Sequence, residues 1–334
     1  MSNGYAWIIF LAAAAISFGL VLLLSPLLER HALAQPNARS SHKVATPQGG
    51  GFAVIGATLV VVAGASVLSG DIGDQSLWLV LAATIVIAVV GAIDDVRTIA
   101  VLPRLFLQAA GVAIAITTLP GDLRLVPPLP YWLERALVGL ALLWFVNLVN
   151  FMDGIDWMTV AEVMPLTAGL VLFGLMGALP QDATVVALAL CGAVIGFAPF
   201  NRPVARLFLG DVGSLPIGLL LGWLLIKLAD AGHLAAALLL PLYYLADATI
   251  TLLRRLANGE PVLQAHRTHF YQRATDNGFS VTQIVGRVFA LNVVLITLAA
   301  TTLLTASFLF HAAALIAGCV LVALLLYRFV AAKA

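Results

Sequence analysis

The chain has 334 residues, of which 62% are hydrophobic and 10% are charged, and its formal net charge is +1. A mean hydropathy of +1.06 excludes a soluble domain of ordinary composition. Apolar runs of about the length that crosses a bilayer recur from end to end, so we predict an all-α polytopic membrane protein. We expect a single transmembrane domain over residues 1–334.

The hydrophobic pattern predicts about eleven membrane helices. They cover residues 5–28, 50–69, 76–93, 104–119, 134–150, 160–179, 183–199, 212–229, 232–253, 284–307 and 309–330. Nearly all Lys and Arg residues fall in the loops on one side, including a basic segment at 254–283. The N-terminus is therefore predicted outside and the C-terminus in the cytoplasm. No basic stretch precedes the first segment, so we expect a retained span and not a signal peptide.

The first inner loop contains Lys43, a Thr46-Pro47 turn and the glycines of residues 49–51. Glycine-rich backbone beside a basic side chain can bind phosphate. Three glycines at the start of a membrane helix can equally allow close helix packing. The sequence leaves both interpretations open.

The third helix ends in two adjacent carboxylates, Asp94 and Asp95. Neighbouring carboxylates at a membrane boundary repel each other unless a cation or a base neutralises them. We favour a site that holds a metal or a phosphate. The alternative is a solvated helix end with Arg97 as a local ion-pair partner.

The fifth helix runs into Asn147, Asn150, Asp153, Gly154 and Asp156. The first three are spaced by three residues and share one helical face, and the glycine allows the chain to turn. Such oxygen-bearing side chains can hold a hard cation together with phosphates. A helix end capped by short polar residues is the alternative, but the size of the cluster favours a site.

Asp211 stands directly before the eighth helix, between Gly210 and Gly213. A carboxylate at a helix N-terminus is also a stable cap. We expect the two glycines to leave room for a ligand beside it. Phe208 is predicted to stack on a base, or to anchor the chain at the membrane interface.

The basic segment carries His266, Arg267, His269 and Arg273 within eight residues. Basic residues near a membrane can contact anionic lipid. This density of donors favours a pyrophosphate, and zinc fits less well because no cysteine lies nearby. Asp247 is the one acid predicted well inside a span, where it either lines the site or pairs with a neighbour.

Together these motifs resemble the polyprenyl-phosphate N-acetylhexosamine-1-phosphate transferase superfamily, which includes phospho-N-acetylmuramoyl-pentapeptide transferase. The matching pieces follow the family's order: Thr46-Pro47-Gln-Gly-Gly, Ile93-Asp94-Asp95, Asn147-x-x-Asn150-x-x-Asp153-Gly154-x-Asp156, Phe208-x-Gly210-Asp211-x-Gly213-Ser214 and His266-x-x-His269-x-x-x-Arg273. The last loop resembles enzymes that start O-antigen or similar surface glycans. The His-His-His run typical of the peptidoglycan enzymes is absent.

The resemblance implies a reaction at the cytoplasmic face of the bacterial inner membrane. N-acetylhexosamine-1-phosphate would pass from a UDP-sugar to undecaprenyl phosphate, with release of UMP. The cofactor implied is Mg²⁺, with Mn²⁺ as an alternative. A homodimer in membrane lipid is expected, and no nucleic-acid partner.

The same resemblance implies roles for individual residues. The catalytic set is Asp94, Asp95, Asp153 and Asp211, and the metal ligands are Asp211, Asn150 and Asp153. The nucleotide-sugar contacts are Asn147, Asn150, Asp156, Phe208, His266, His269, Arg273 and Lys43. Direct attack by the lipid phosphate and passage through an aspartyl-phosphate both stay open.

One departure from the family pattern is Trp157, which replaces a common small residue. We expect it to reshape the nucleotide or sugar pocket, which argues against plain UDP-N-acetylglucosamine as the donor and leaves deoxy sugars such as N-acetylfucosamine and N-acetylquinovosamine open. Two rival classes fit less well. A prenyltransferase has no need for the basic histidine loop, and a transporter would place more ionisable residues near mid-membrane.

Overall fold

The computed structural model of the protein describes residues 3–34, 45–70, 75–262, 264 and 266–331. Within these ranges the chain is mainly helical. The helices are α1 Asn3–His31, α2 Gly51–Ser69, α3 Gln75–Val96, α4 Val101–Thr117, α5 Tyr131–Met152, α6 Met158–Leu175, α7 Gln181–Phe197, α8 Asp211–Asp230, α9 Leu234–Leu239, α10 Leu242–Ala257, α11 Phe270–Asp276, α12 Val281–Thr302 and α13 Phe308–Val330. Two short strands, β1 Leu33–Ala34 and β2 Thr46–Pro47, pair in antiparallel fashion.

Eight of these helices are long and apolar enough to cross a membrane: α1, α2, α3, α5, α6, α8, α12 and α13. Helices α4 and α7 are apolar but have only 17 residues each. The predicted all-α polytopic membrane architecture is confirmed. The count of eleven spans and the orientation of the chain stay predictions.

The predicted continuous helix over 232–253 is wrong. The chain forms α9, breaks at Leu240 and Pro241, and resumes as α10. Proline lacks an N–H and its ring clashes with the carbonyl four residues earlier, so this proline ends one helix and begins the next. The basic segment also contains the short helix α11, which the hydrophobic pattern does not reveal because its sequence is polar.

Helix α8 is the most enclosed of the eight spans, with 89% of its most apolar window buried. Glycines bring its neighbours into backbone contact with its first turn. A Cβ on Gly213 would lie 2.7 Å from the Cα of Gly51 in α2. A Cβ on Gly91 in α3 would lie 2.7 Å from the backbone nitrogen of Val212. Helices α2 and α3 therefore both pack against the first turn of α8, which begins with Asp211.

This packing bears on both groups of glycines. Of the two interpretations left open for Gly50 and Gly51 it supports close packing, because Gly51 lies against α8 and a Cβ on Gly50 would collide with the ring of Phe197. The space beside Gly213 is likewise filled by α2, and it does not remain open for a ligand.

Candidate active site

A cavity of about 720 Å³ lies where α4, α5, the start of α8, α10 and the basic segment meet. Its polar wall consists of Thr98, Arg104, Asn147, Asn150, Asp211, Gln264, His266, His269 and Gln272. Its apolar wall consists of Ile99, Val101, Leu105, Leu140, Leu143, Trp144, Phe151, Leu252 and Val262. Residues predicted from three separate motifs therefore share one cavity that is lined by both polar and apolar side chains.

The centre of the polar wall is the carboxylate of Asp211. The side-chain amide of Asn150 donates to Asp211 Oδ1 over 2.7 Å and to Ser214 Oγ over 2.9 Å. One turn earlier on α5, Asn147 is buried and donates to Gln108 Oε1 over 2.8 Å. Because the two asparagines are three residues apart, both lie on the face of α5 that meets the cavity.

Arg104 is a site residue that the motifs did not identify. Its Nη1 lies 2.6 Å from Asp94 Oδ2 and 3.8 Å from Asp211 Oδ2, so one guanidinium faces two carboxylates. In the sequence, Arg104 stands four residues before Gln108, and residues four apart share a helical face. Gln108 contacts Asn147 in the structure, so this spacing was the signal that could have identified Arg104. The ion pair predicted as an alternative for the end of α3 is thus made by Arg104, while Arg97 is exposed.

Asp95 has a different environment from Asp94. Its two carboxylate oxygens accept the backbone N–H groups of Asp211, at 2.9 Å, and Val212, at 3.0 Å. The first N–H groups of a helix have no partner within the helix, so Asp95 caps α8 from a neighbouring helix. Its catalytic assignment stays a prediction, but the geometry gives it a structural role.

Asp153 and Asp156 lie behind the cavity, and neither is among the lining residues that the structure describes. Asp153 accepts a hydrogen bond from the hydroxyl of Thr159. Burial, with the negative charges of Asp95 and Asp156, raises the pKa of Asp153 to about 7. Asp156 is buried and accepts the backbone N–H of Ala205 over 3.0 Å, which anchors the loop before α8.

That loop ends at Phe208, which pairs by its backbone with the start of α2. Phe208 donates its N–H to the carbonyl of Pro47 over 2.8 Å and accepts from Gly49 and Gly50. The Thr46-Pro47 stretch and the run before Asp211 therefore form one structural unit. Phe208 is half-buried and does not contribute to the part of the cavity wall that the structure describes, so its contact with a base stays a prediction.

Trp157 faces the same loop. Its backbone has a φ of 61°, a left-handed conformation that side chains of this size rarely adopt. Its N–H donates to Asn201 Oδ1 over 2.9 Å and its indole N–H donates to the carbonyl of Ala198 over 2.7 Å. The described cavity wall does not include Trp157, so the expectation that it reshapes the pocket is not supported.

The two histidines of the basic segment line the cavity as a stacked pair, with ring centroids 4.8 Å apart. His269 is buried, and His266 shares a hydrogen bond of 3.0 Å between its Nδ1 and Thr268 Oγ1. Burial, together with the neighbouring His269 and Arg255, lowers the pKa of His266 to about 4.

The arginines of this segment mainly hold its own fold. Arg254 donates to the carbonyl of Thr268 over 2.7 Å, and Arg255 pairs with Glu260 over 3.0 Å. Arg267 pairs with Asp276 over 3.1 Å. Arg273 is half-buried and outside the described cavity wall. Lys43, the remaining predicted contact, lies outside the described residues.

The oxygen-bearing side chains at the cavity are the kind of ligand that a hard divalent cation bound to phosphates prefers. No group of three or more His, Cys, Asp and Glu side chains in the described ranges is placed to hold a metal alone. Mg²⁺ typically takes one or two protein carboxylates and completes its shell with water and substrate phosphate. Asp211 and Asn150, with Asp94 near the same guanidinium, match that requirement. Asp153, the third predicted ligand, is set back from them.

Comparison with known proteins adds independent information. The family described as glycosyl transferase family 4 matches residues 77–229. The probable undecaprenyl-phosphate N-acetylglucosaminyl 1-phosphate transferase of Bacillus subtilis is 27% identical over 85% of this chain and 84% of its own length. The decaprenyl-phosphate N-acetylglucosaminephosphotransferase of Mycobacterium leprae is 28% identical over 82% of this chain and 78% of its own length. A phospho-N-acetylmuramoyl-pentapeptide-transferase of Synechococcus is 30% identical over 85% of this chain and 91% of its own length.

Proposed function

The chain belongs to the polyprenyl-phosphate hexosamine-1-phosphate transferase superfamily, and from this membership we propose a specific reaction for it. N-acetylhexosamine-1-phosphate passes from a UDP-N-acetylhexosamine to undecaprenyl phosphate, and UMP is released. The class of the reaction, a phosphotransfer onto polyprenyl phosphate by a multi-pass membrane protein, follows from the family. The donor, the acceptor and the cation are proposals.

The observation that carries the proposal is the cavity, which is lined by both polar and apolar side chains. Its polar wall contains the carboxylate, amide, guanidinium and imidazole groups that a pyrophosphate and a cation require. Its apolar wall, formed largely by α4, α5 and α10, suits the first part of a prenyl chain. A soluble donor and a lipid acceptor therefore have matching surfaces in one site.

In the proposed reaction a phosphate oxygen of the lipid attacks the phosphorus that bears the sugar. The bond from this phosphorus to the bridging oxygen breaks, and UMP leaves with that oxygen and its electron pair. A phosphate monoester has a second pKa of about 6, so it is already mostly deprotonated at neutral pH. Asp94 is therefore needed less as a base than as the group that holds Arg104 beside the reacting phosphates.

The negative charges of Asp94 and Asp211 are partly offset by a neighbouring positive charge. Arg104 lies between Asp94 and Asp211 and offsets part of their charge before any substrate binds. Mg²⁺ held by Asp211 and Asn150 would neutralise and align the phosphates when it is bound. The stacked histidines, which line the same cavity, would contact the pyrophosphate or the sugar.

We propose that the product starts a lipid-linked surface glycan of the O-antigen type, made at the cytoplasmic face of the bacterial inner membrane. The support is the spaced pair His266 and His269, where the peptidoglycan enzymes usually carry three consecutive histidines. A phospho-N-acetylmuramoyl-pentapeptide transferase is the second candidate, because a relative with that name covers 85% of the chain. The donor distinguishes the two.

The test is an assay of the purified protein with undecaprenyl phosphate, Mg²⁺ and a panel of donors, in which UMP release is followed. The panel contains the UDP-N-acetylhexosamines, their 6-deoxy forms and UDP-N-acetylmuramoyl-pentapeptide. We expect UMP with a simple UDP-N-acetylhexosamine. Turnover of the pentapeptide donor alone would establish the second candidate, and no UMP from folded protein with any donor would refute both.

Asp211→Asn and Asp230→Asn form a matched pair within this assay. Both residues belong to α8, but Asp211 lines the cavity while Asp230 is exposed at the other end of the helix. We expect Asp211→Asn to abolish UMP release and Asp230→Asn to preserve it. Equal activity of the two variants would remove Asp211 from the site.

A further inference from the structure

Asp247 of α10 is fully buried, yet its carboxylate is surrounded by donors. Its Oδ1 accepts the N–H of Phe270 over 3.0 Å and lies 3.3 Å from Nδ1 of His269. Its Oδ2 accepts the N–H of Tyr271 over 3.1 Å and the hydroxyl of Tyr243 over 3.2 Å. Four groups therefore converge on a carboxylate that has no place in the mechanism above.

Two of these bonds attach the basic segment to the membrane domain. Phe270 and Tyr271 are the first residues of α11, and their N–H groups have no partner within that helix. The hydroxyl of Tyr271 continues the attachment, because it donates to the carbonyl of Phe151 on α5 over 2.9 Å. Asp247 thus places the residue just before α11, His269, at a defined position on the cavity wall.

The contact with His269 has a chemical consequence. Because a carboxylate accepts hydrogen bonds, the contact of 3.3 Å between Asp247 Oδ1 and His269 Nδ1 favours a proton on that nitrogen. The other nitrogen, Nε2, is then the one available to the cavity that His269 lines. The ring has little freedom to turn, since it is 3% exposed and stacks on His266 and on Tyr271, with centroids 4.8 and 5.8 Å away.

We propose that Asp247 is a positioning residue that acts through His269. It fixes the imidazole in the tautomer with hydrogen on Nδ1 and presents Nε2 to the nucleotide sugar. Asp247 itself is outside the described cavity wall, so its effect on the reaction passes through the histidine. The role in turnover rests on the proposed function, whereas the tautomer does not.

The first experiment is a double-mutant cycle of UMP release with Asp247→Asn, His269→Gln and the double variant. Substitution of a residue that orients a functional histidine typically lowers activity about tenfold to a hundredfold. We expect Asp247→Asn to lower kcat/KM by that factor in the wild-type background and to have little further effect on His269→Gln. Full additivity of the two changes would show that Asp247 acts through the fold alone and would overturn the proposal.

Tyr243→Phe is the matched control. It removes one donor from the same carboxylate, but on Oδ2 and not on the oxygen that faces His269. We expect kcat/KM within about twofold of wild type, because the histidine contact is preserved. A loss equal to that of Asp247→Asn would assign the effect to the buried network as a whole and count against the histidine.

The second experiment needs no activity. The ¹⁵N spectrum of histidine-labelled protein reports which ring nitrogen carries hydrogen, and His269→Gln identifies the His269 signals. We expect the Nδ1–H form in wild type and its loss in Asp247→Asn. An Nε2–H form in wild type would overturn the proposal even if Asp247→Asn did not fold. Wild-type protein that is inactive with every donor would refute the proposed function and leave this result standing.

Discussion

Asp94 and Asp95 are adjacent in the chain, yet their carboxylates have separate partners. Successive residues of a helix point about 100° apart, so one side chain reaches Arg104 and the other reaches the first turn of α8. Asp94 pairs with a guanidinium, whereas Asp95 accepts two backbone N–H groups. Asp94 thereby holds a residue of the cavity wall, Arg104, while Asp95 stabilises the start of α8.

Arg104→Ala is expected to lower kcat of UMP release about a hundredfold, the usual effect of losing a group that stabilises charge in the transition state. The substitution leaves Asp94 and Asp211 without their shared positive neighbour. Arg104→Lys, which keeps the charge but not the planar group, should restore part of the activity. Arg97→Ala, at an exposed position just after α3, is the control, and an equal loss there would disprove a specific role for Arg104.

His266 is expected to make the folded protein sensitive to acid. Its pKa is lowered to about 4 from an ordinary value of 6.5, so between these values the unfolded chain binds a proton that the folded chain does not. Stability contributed by this residue is therefore complete above pH 6.5 and is lost as the pH falls toward 4. Thermal unfolding in detergent at pH 7.5 and pH 5 would show a smaller drop in Tm for His266→Asn than for wild type. Identical drops would contradict this.

At the scale of elements, the close crossings around α8 set the position of the site. Gly51 of α2 and Gly91 of α3 allow two helices to touch the first turn of α8, which carries Asp211. Backbone contact of this kind needs residues without a side chain, as is usual where membrane helices approach closely. The glycines of α2 and α3 therefore act together in the packing around α8, and this packing sets the positions of the polar residues beside them.

Gly51→Ala and Gly64→Ala test this crossing within a single helix. A Cβ at Gly51 meets the backbone of Gly213, whereas nothing lies within 4 Å of a Cβ at Gly64. We expect Gly51→Ala to destabilise the protein by about 1–3 kcal/mol, the usual cost of overpacking, and to lower activity by displacing α8. Gly64→Ala should be neutral or slightly stabilising. Thermal unfolding and UMP release of the pair measure the difference, and equal behaviour would show that the crossing tolerates a side chain.

For the whole molecule, the arrangement places all polar motifs at the same end of the helix bundle. The ends of α3 and α5, the starts of α4 and α8 and the segment after α10 meet there, around a cavity whose lining is mainly apolar. A lipid phosphate at the membrane surface can reach this position with its chain still in the bilayer. The proposed reaction requires this end to face the side where the nucleotide sugar is made, and this orientation is a prediction.

Cysteine labelling tests that orientation. In a background with Cys191 and Cys319 replaced by alanine, Val204→Cys lies in the loop before α8 and Ala306→Cys lies between α12 and α13. Val204 is 81% exposed, and Ala306 is also exposed, so both thiols should be reactive. An impermeant reagent added to intact cells should modify Ala306→Cys and not Val204→Cys. The opposite pattern would invert the predicted topology.

The sequence by itself determined the membrane class, the helices apart from the break at Pro241 and the polar α11, and the family, because hydropathy and short motifs are local properties of the chain. It also identified Asn147, Asn150, Asp211, His266 and His269, which the structure brings to one cavity. Only the tertiary structure decided which neighbours these residues have. Asp95 contacts a residue 116 positions away, and no local pattern encodes such a contact.

The same reason explains the residues whose roles the sequence left open or did not identify. Arg104 contacts Asp94 and Asp211. Asp247 contacts His269, and Trp157 contacts Ala198. The glycines beside Asp211 are likewise explained by α2 packed against them, which spacing alone does not reveal. Local sequence specified which chemical groups the site contains, and helix packing decided which of them face the cavity and which support those that do.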